Sequence, residues 1–153
     1  NMSIESVLKE LQPHLGKEVF VSGWKQVTQA QINQFADSTG DHQWIHVDAE
    51  KAAAGPFGRT IAHGFLTLSH IPFFSYQAPV KIEGAKMSIN YGLDKVRFLN
   101  PVPSGSNIRD RIVLSGVEEK PGNRLLIRQT HTIEMEGQDK PACVAEALAM
   151  VFF

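Results

Sequence analysis

A chain of 153 residues is long enough to bury one sizeable core and too short for two ordinary domains. Its 42% hydrophobic and 20% charged residues, with a net charge of −1, exclude a binder of nucleic acid or anionic membranes that works by bulk positive charge. No apolar run approaches the roughly 20 residues that span a bilayer, and the single cysteine, Cys143, cannot form an internal disulfide. Lone Cys143 sits in an apolar stretch and reads as a small core residue. The N-terminal segment lacks a basic region followed by an apolar block, so no signal peptide is expected and a cytoplasmic protein is. Asn1, ahead of Met2, reads as a remnant, leaving residues 2–153 as one expected domain.

Ser3 to Leu15 is predicted as an amphipathic helix, with Ile4, Val7, Leu8 and Leu11 at 3–4 spacing and Pro13 and Gly16 at its end. Val19 to Trp24 is β-branched and aromatic, which predicts a short strand. Thr28 then opens a second helix with Gln31 three residues on, a capping-box pattern. Ile32, Phe35 and Ala36 form its buried face, and Gly40 is its stop. Asp48 to Ala54 predicts a helical turn or two capped by Asp48 and broken by Gly55, Pro56 and Gly58. Phe65 to Ile71 is apolar nearly all round, as in a helix buried on most sides, and Pro72 should kink or end it. Pro79 to Gly84 reads as a connection.

Beyond it the period changes to two. Met87, Ile89 and Tyr91 alternate, then Val96 and Phe98; Ile108, Ile112 and Leu114 share one parity; Leu125, Ile127 and Ile133 resume it after a turn at Pro121-Gly122-Asn123. A second turn follows at Glu136 to Asp139. Ala142 to Phe153 has helix-forming composition, but Ala145, Ala147 and Ala149 alternate with larger residues, which predicts a strand whose alanine side faces something bulky. Helices first and antiparallel strands after make an α+β fold in which the sheet must cover the apolar helix.

The chemistry concentrates between Ala36 and Gly64, which holds Asp41, His42, His46, Asp48 and His63. An acid and an imidazole five residues apart, just past a helix end, suit general acid–base work on a small substrate. The structural alternatives are a turn-capping role for Asp41 and a satisfied core histidine at His46; His63 reads as a brace for the loop through a backbone hydrogen bond. A zinc helix of the H-E-x-x-H type needs glutamate after its first histidine, where Gln43 stands, and the segment reads as loop. No metal is expected.

Three blocks in order, GDHQWIHVD, GRTIAHGFLTLS and NYGLDKVRFLNPVPSG, resemble the MaoC-like dehydratases, which include the (R)-specific enoyl-CoA hydratases, and most nearly their nodulation-protein-N-like subgroup. The similarity runs from about Gln31 through Val113. It implies a single hotdog fold, a curved antiparallel sheet wrapped around one long helix, and a homodimer that covers the edge strands such a sheet leaves open. It also implies a hydro-lyase of fatty acid metabolism that reversibly adds water to a trans-2-enoyl thioester, giving the (R)-3-hydroxyacyl thioester. Asp41 and His46 match the water-activating pair, and Gly64 matches the glycine whose N–H holds the thioester carbonyl. Gln43 is placed to orient Asp41 or bind the water, with His63 in support. Where some relatives carry a serine nine residues after the histidine of A-H-G, this chain has Pro72, and Ser69 is the substitute hydroxyl. Asn90, Tyr91 and Arg97 are read as sheet or pocket support. The CoA or acyl-carrier thioester is substrate, with no cofactor. The rival readings are a hotdog thioesterase and a non-catalytic acyl-thioester-binding subunit.

Overall fold

Period-two patterning in the second half of the chain produces four long strands: β3 (Met87–Phe98), β4 (Asn107–Lys120), β5 (Arg124–Met135) and β6 (Cys143–Phe152). The computed structural model describes residues 4–79 and 81–153. Asn1, the predicted helix start at Ser3, and Val80 within the 79–84 connection lie outside the described residues. With β1 (Glu18–Val21) the strands form an antiparallel sheet in the order β1-β4-β5-β6-β3, and β2 (Lys25–Gln26) adds a second short pairing on β4. The predicted strand over 19–24 is thus displaced by about one residue and split, because Ser22 turns aside to bond Asp110 across the sheet.

The tight β4–β5 connection follows from Gly122 and Asn123, both at positive φ (85° and 61°). The segment from 142 onward is indeed a strand, and its alanine parity faces the space under the helices, where Ala147 and Ala149 line a cavity. On the concave side Ile108, Ile112, Leu114, Leu125, Ile127 and Ile133 are buried, as their parity predicts.

Among the described residues six α-helices accompany this sheet in the roles their caps dictate, beginning with α1 (Ile4–Leu11), which buries Ile4 and Val7. In α2 (Gln29–Thr39) the Thr28 hydroxyl accepts the N–H of Gln31 at 3.2 Å, and Gly40 ends the helix in the left-handed region at φ 86°. Short helices α3 (Trp44–Val47) and α4 (Ala49–Ala53) follow, the second capped by Asp48, whose carboxylate accepts the N–H of Lys51 at 3.0 Å. The segment around His46 is therefore helical, not the loop its neighbours predict.

The helix in the curl of the sheet is not one long rod. It is divided into α5 (Gly64–Ser69) and α6 (Ile71–Ser75), with Pro72 in the first turn of the second piece. The missing N–H of Pro72 falls where the orphan donors of a new helix start, so the chain breaks at His70 instead of at the proline. Leu66, Phe74, Ile108, Ile133, Cys143 and Ala145 pack into one core between these helices and the sheet.

β3 corrects the simplest reading of its alternation. Met87, Ile89, Tyr91 and Leu93 are 44–60% exposed, while polar Ser88 and Asn90 face the cavity under α6. Its partner is β6, and its other edge has no partner among the described residues.

Candidate active site

Helix α2 ends at Gly40, so the chain leaves the helix and presents Asp41 at its exit, while α3 carries His46 back beneath it. His46 is buried, and its Nδ1 lies 2.8 Å from the carbonyl oxygen of Ile61. A carbonyl only accepts, so Nδ1 carries the proton and Nε2 keeps its lone pair. Burial pushes the imidazolium of His46 below its ordinary 6.5, partly opposed by the Ile61 bond and by Asp41. A neutral imidazole with a free Nε2 is the form a general base needs.

His63 precedes α5 and is nearly wholly buried. Its ring stacks on His46 at 3.9 Å between centroids, and Phe35 covers it at 4.8 Å. Its Nε2–H donates to the backbone oxygen of Asp41 at 3.0 Å, which is the loop brace expected of it. Asp41, His46 and His63 each present a ligand atom, all within 4.8 Å of one another. The carboxylate of Asp41 also accepts the backbone N–H of Gln43 at 3.3 Å. This contact is made by the main chain of Gln43, not by its amide side chain.

This trio does not fit a metal ion. The two imidazole planes are stacked and tilted by only 23°. Their in-plane lone pairs therefore do not converge on a point about 2 Å from both nitrogens, as ligation requires. His42, four residues before His46, turns away to Asp37 of α2 at 2.9 Å, with both side chains mostly exposed.

Gly64 begins α5 immediately after His63, so its N–H is among those a helix start leaves without an intrahelical acceptor. A Cβ built there would lie 3.0 Å from the Phe98 ring, so close packing as well as access calls for glycine. Ser69 is not brought into this group. Its hydroxyl donates to the carbonyl of Phe65 at 2.7 Å, one helical turn back, and the residue is exposed.

Two residues that motif reasoning passed over hold the site together. Gln29 donates through Nε2 to the His46 carbonyl at 2.8 Å, and its Oε1 accepts the hydroxyl of Thr60. This links the start of α2, α3 and the segment before A-H-G. A glutamine in the first turn of a helix reads as ordinary surface, so only the threonine's place inside the GRTIAHG block offered a signal.

The MaoC like domain model matches residues 10–135. The chain is 51% identical over 146 residues to 3-hydroxyacyl-thioester dehydratase Z of Mycobacterium tuberculosis, covering 95% of each chain. It is 42% identical over 150 residues to nodulation protein N of Rhizobium leguminosarum bv. viciae, covering 97% of this chain and 93% of that one. Among solved structures, the R-hydratase PhaJ1 from Pseudomonas aeruginosa in its unliganded form superposes with a TM-score of 0.70 at 25% identity, over 90% of this chain and 81% of that one. The (R)-hydratase from A. caviae involved in PHA biosynthesis gives 0.68 at 27%, over 87% and 95%. The sheet curled around α5 and α6 is the hotdog fold of these hydratases, and the chain belongs to the MaoC-like domain family.

Proposed function

We propose that this protein is a hydro-lyase that reversibly adds water to a trans-2-enoyl thioester, forming the (R)-3-hydroxyacyl thioester. The observation that carries the reading is a neutral, buried His46 whose free Nε2 lies beside the Asp41 carboxylate at the start of α5. Water held between the two loses a proton to His46 Nε2 as its oxygen bonds to the β-carbon. Electron density moves onto the thioester oxygen, where the Gly64 N–H donates a hydrogen bond to the developing charge. The imidazolium then returns a proton to the α-carbon, so one water is consumed and the base is regenerated.

Asp41 orients the water and favours the transient imidazolium; His63 and Gln29 hold the pair in place. No cofactor enters the scheme. The acyl group arrives as a CoA or acyl-carrier thioester. A homodimer joined along β3 would cover Met87, Ile89, Tyr91 and Leu93, whose exposure leaves an apolar edge on a lone protomer. A cytoplasmic setting accords with the free Cys143; among the described residues no helix is long and apolar enough to cross a membrane. Incubation with crotonyl-CoA tests the reading: loss of the conjugated enoyl absorbance without thiol release is expected, whereas thiol release would assign a thioesterase instead.

A further inference from the structure

The concave face of the sheet buries one carboxylate–imidazole pair. Between Ile108 and Ile112 on β4 stands Asp110, and before Ile133 on β5 stands His131; the two are 0% and 1% exposed. His131 Nδ1–H donates to Asp110 Oδ2 at 2.6 Å, while Asp110 Oδ1 is buried with no partner among the described residues. Burying such a pair costs more than apolar side chains of similar volume would, and the chemistry at Asp41 and His46 makes no use of it.

His131 lines a cavity of about 210 Å³ beneath α6. Pro72 and Tyr76 roof it, Ala147 and Ala149 leave its floor open, and Asn90 and Gln129 add amides to its walls. It adjoins a larger cavity of about 650 Å³, with Ser75, Ile82, Ile127 and Gln129 bordering both. The second space is walled largely by apolar side chains, among them Val7 and Leu11 of α1, Phe20 and Leu114.

Resting on the hydratase reading, we propose that these joined cavities receive the far part of a long acyl chain, and that the Asp110–His131 pair selects a chain carrying a hydroxyl group there. From Gly64, where the thioester carbonyl sits, to Ser75 the helices advance about 16 Å, at roughly 1.5 Å per residue, so a short acyl group does not reach. With Nδ1 committed to Asp110, the nitrogen left to the cavity is Nε2, which in the neutral ring accepts a hydrogen bond from a hydroxyl. An unsubstituted chain would desolvate that nitrogen and give nothing in return, so the site discriminates by leaving its own polar group unpaired.

The test compares long-chain trans-2-enoyl-CoAs of equal length, with and without a hydroxyl toward the tail end. The parent protein is expected to favour the hydroxylated chain by about tenfold to a hundredfold in kcat/KM. Asp110→Leu/His131→Leu, which removes the pair without stranding one charge, should bring that ratio close to one. Equal rates for the two chains in the parent, or an unchanged preference in the double variant, would overturn the proposal. Ala149→Leu fills the cavity from its floor and keeps the test decisive where the double variant does not fold. It should abolish the hydroxyl preference, and an intact preference would overturn the proposal. Failure of crotonyl-CoA to react would count against the hydratase reading alone. Calorimetric binding of saturated acyl-CoAs with and without the hydroxyl would then still decide the selectivity.

Discussion

Replacing Gly64 by alanine tests the oxyanion role in a way that links packing to rate. The new Cβ would stand 3.0 Å from Cγ and Cδ2 of Phe98 and 3.1 Å from Cε2. Ordinary carbon contacts lie near 3.5–4.0 Å, so the ring or the start of α5 must give by roughly half an ångström or more. Phe98 is 47% exposed and stands on the edge strand, so its ring yields part of this. Overpacking of this kind costs about 1–3 kcal/mol, which for a chain of this size lowers Tm by a few degrees. The effect on rate should be larger, because losing one properly aimed oxyanion donor costs about 10²–10³ in kcat. Gly64→Ala is therefore expected to fold and to lose at least about 10² in crotonyl-CoA hydration, with Phe98→Ala added in the double variant recovering much of both losses. Thermal melts and initial rates measure the two effects. Gly64→Ala with kcat/KM within about threefold of the parent would refute the assignment of its N–H.

Three further expectations concern titration, assembly and the lone thiol. His46 and His70 are both pushed below 6.5 by burial, so in the window just below 6.5 the unfolded chain binds more protons than the folded one. Their contribution to stability is full above about pH 6.5 and is lost as pH falls, and kcat/KM should fall on the same side as His46 gains its proton; rates and urea midpoints from pH 5 to 8 check this. If the proposed homodimer joins along β3, Leu93→Lys or Ile89→Lys, at exposed positions of that strand, should lower the mass measured by light scattering to that of a monomer, and an unchanged dimer mass would remove β3 from the interface. Cys143 is buried, and burial with the nearby Asp110 pushes its thiol up to about 11. A thiol reagent at pH 8 should label it in urea and leave the native protein unlabelled.

Much of the fold and of the candidate site was legible because the signals are local. Thr28 and Gly40 mark α2 by their own chemistry, and Asp41, His46 and His63 lie in two contiguous blocks that the fold then brings together. What escaped the sequence depends on partners far along the chain. Gln29 matters only because α3 and Thr60 fold against it. Ser69 looked available until its own helix supplied an acceptor. Asp110 sits in the gap of the Ile108–Ile112 alternation, where a charged residue reads as an interruption, and its meaning appears only once β5 sets His131 beside it. On β3 the apolar alternation was real, but it faces outward because the cavity takes the polar side.

The most direct test of the central claim is the initial rate of crotonyl-CoA hydration by the parent protein, Asp41→Asn and His46→Ala, with folding of each checked by thermal melts. The acid–base account predicts rapid loss of enoyl absorbance in the parent and a fall of about 10²–10⁴ in each variant with little change in Tm. A folded His46→Ala protein that hydrates crotonyl-CoA at the parent rate would contradict it.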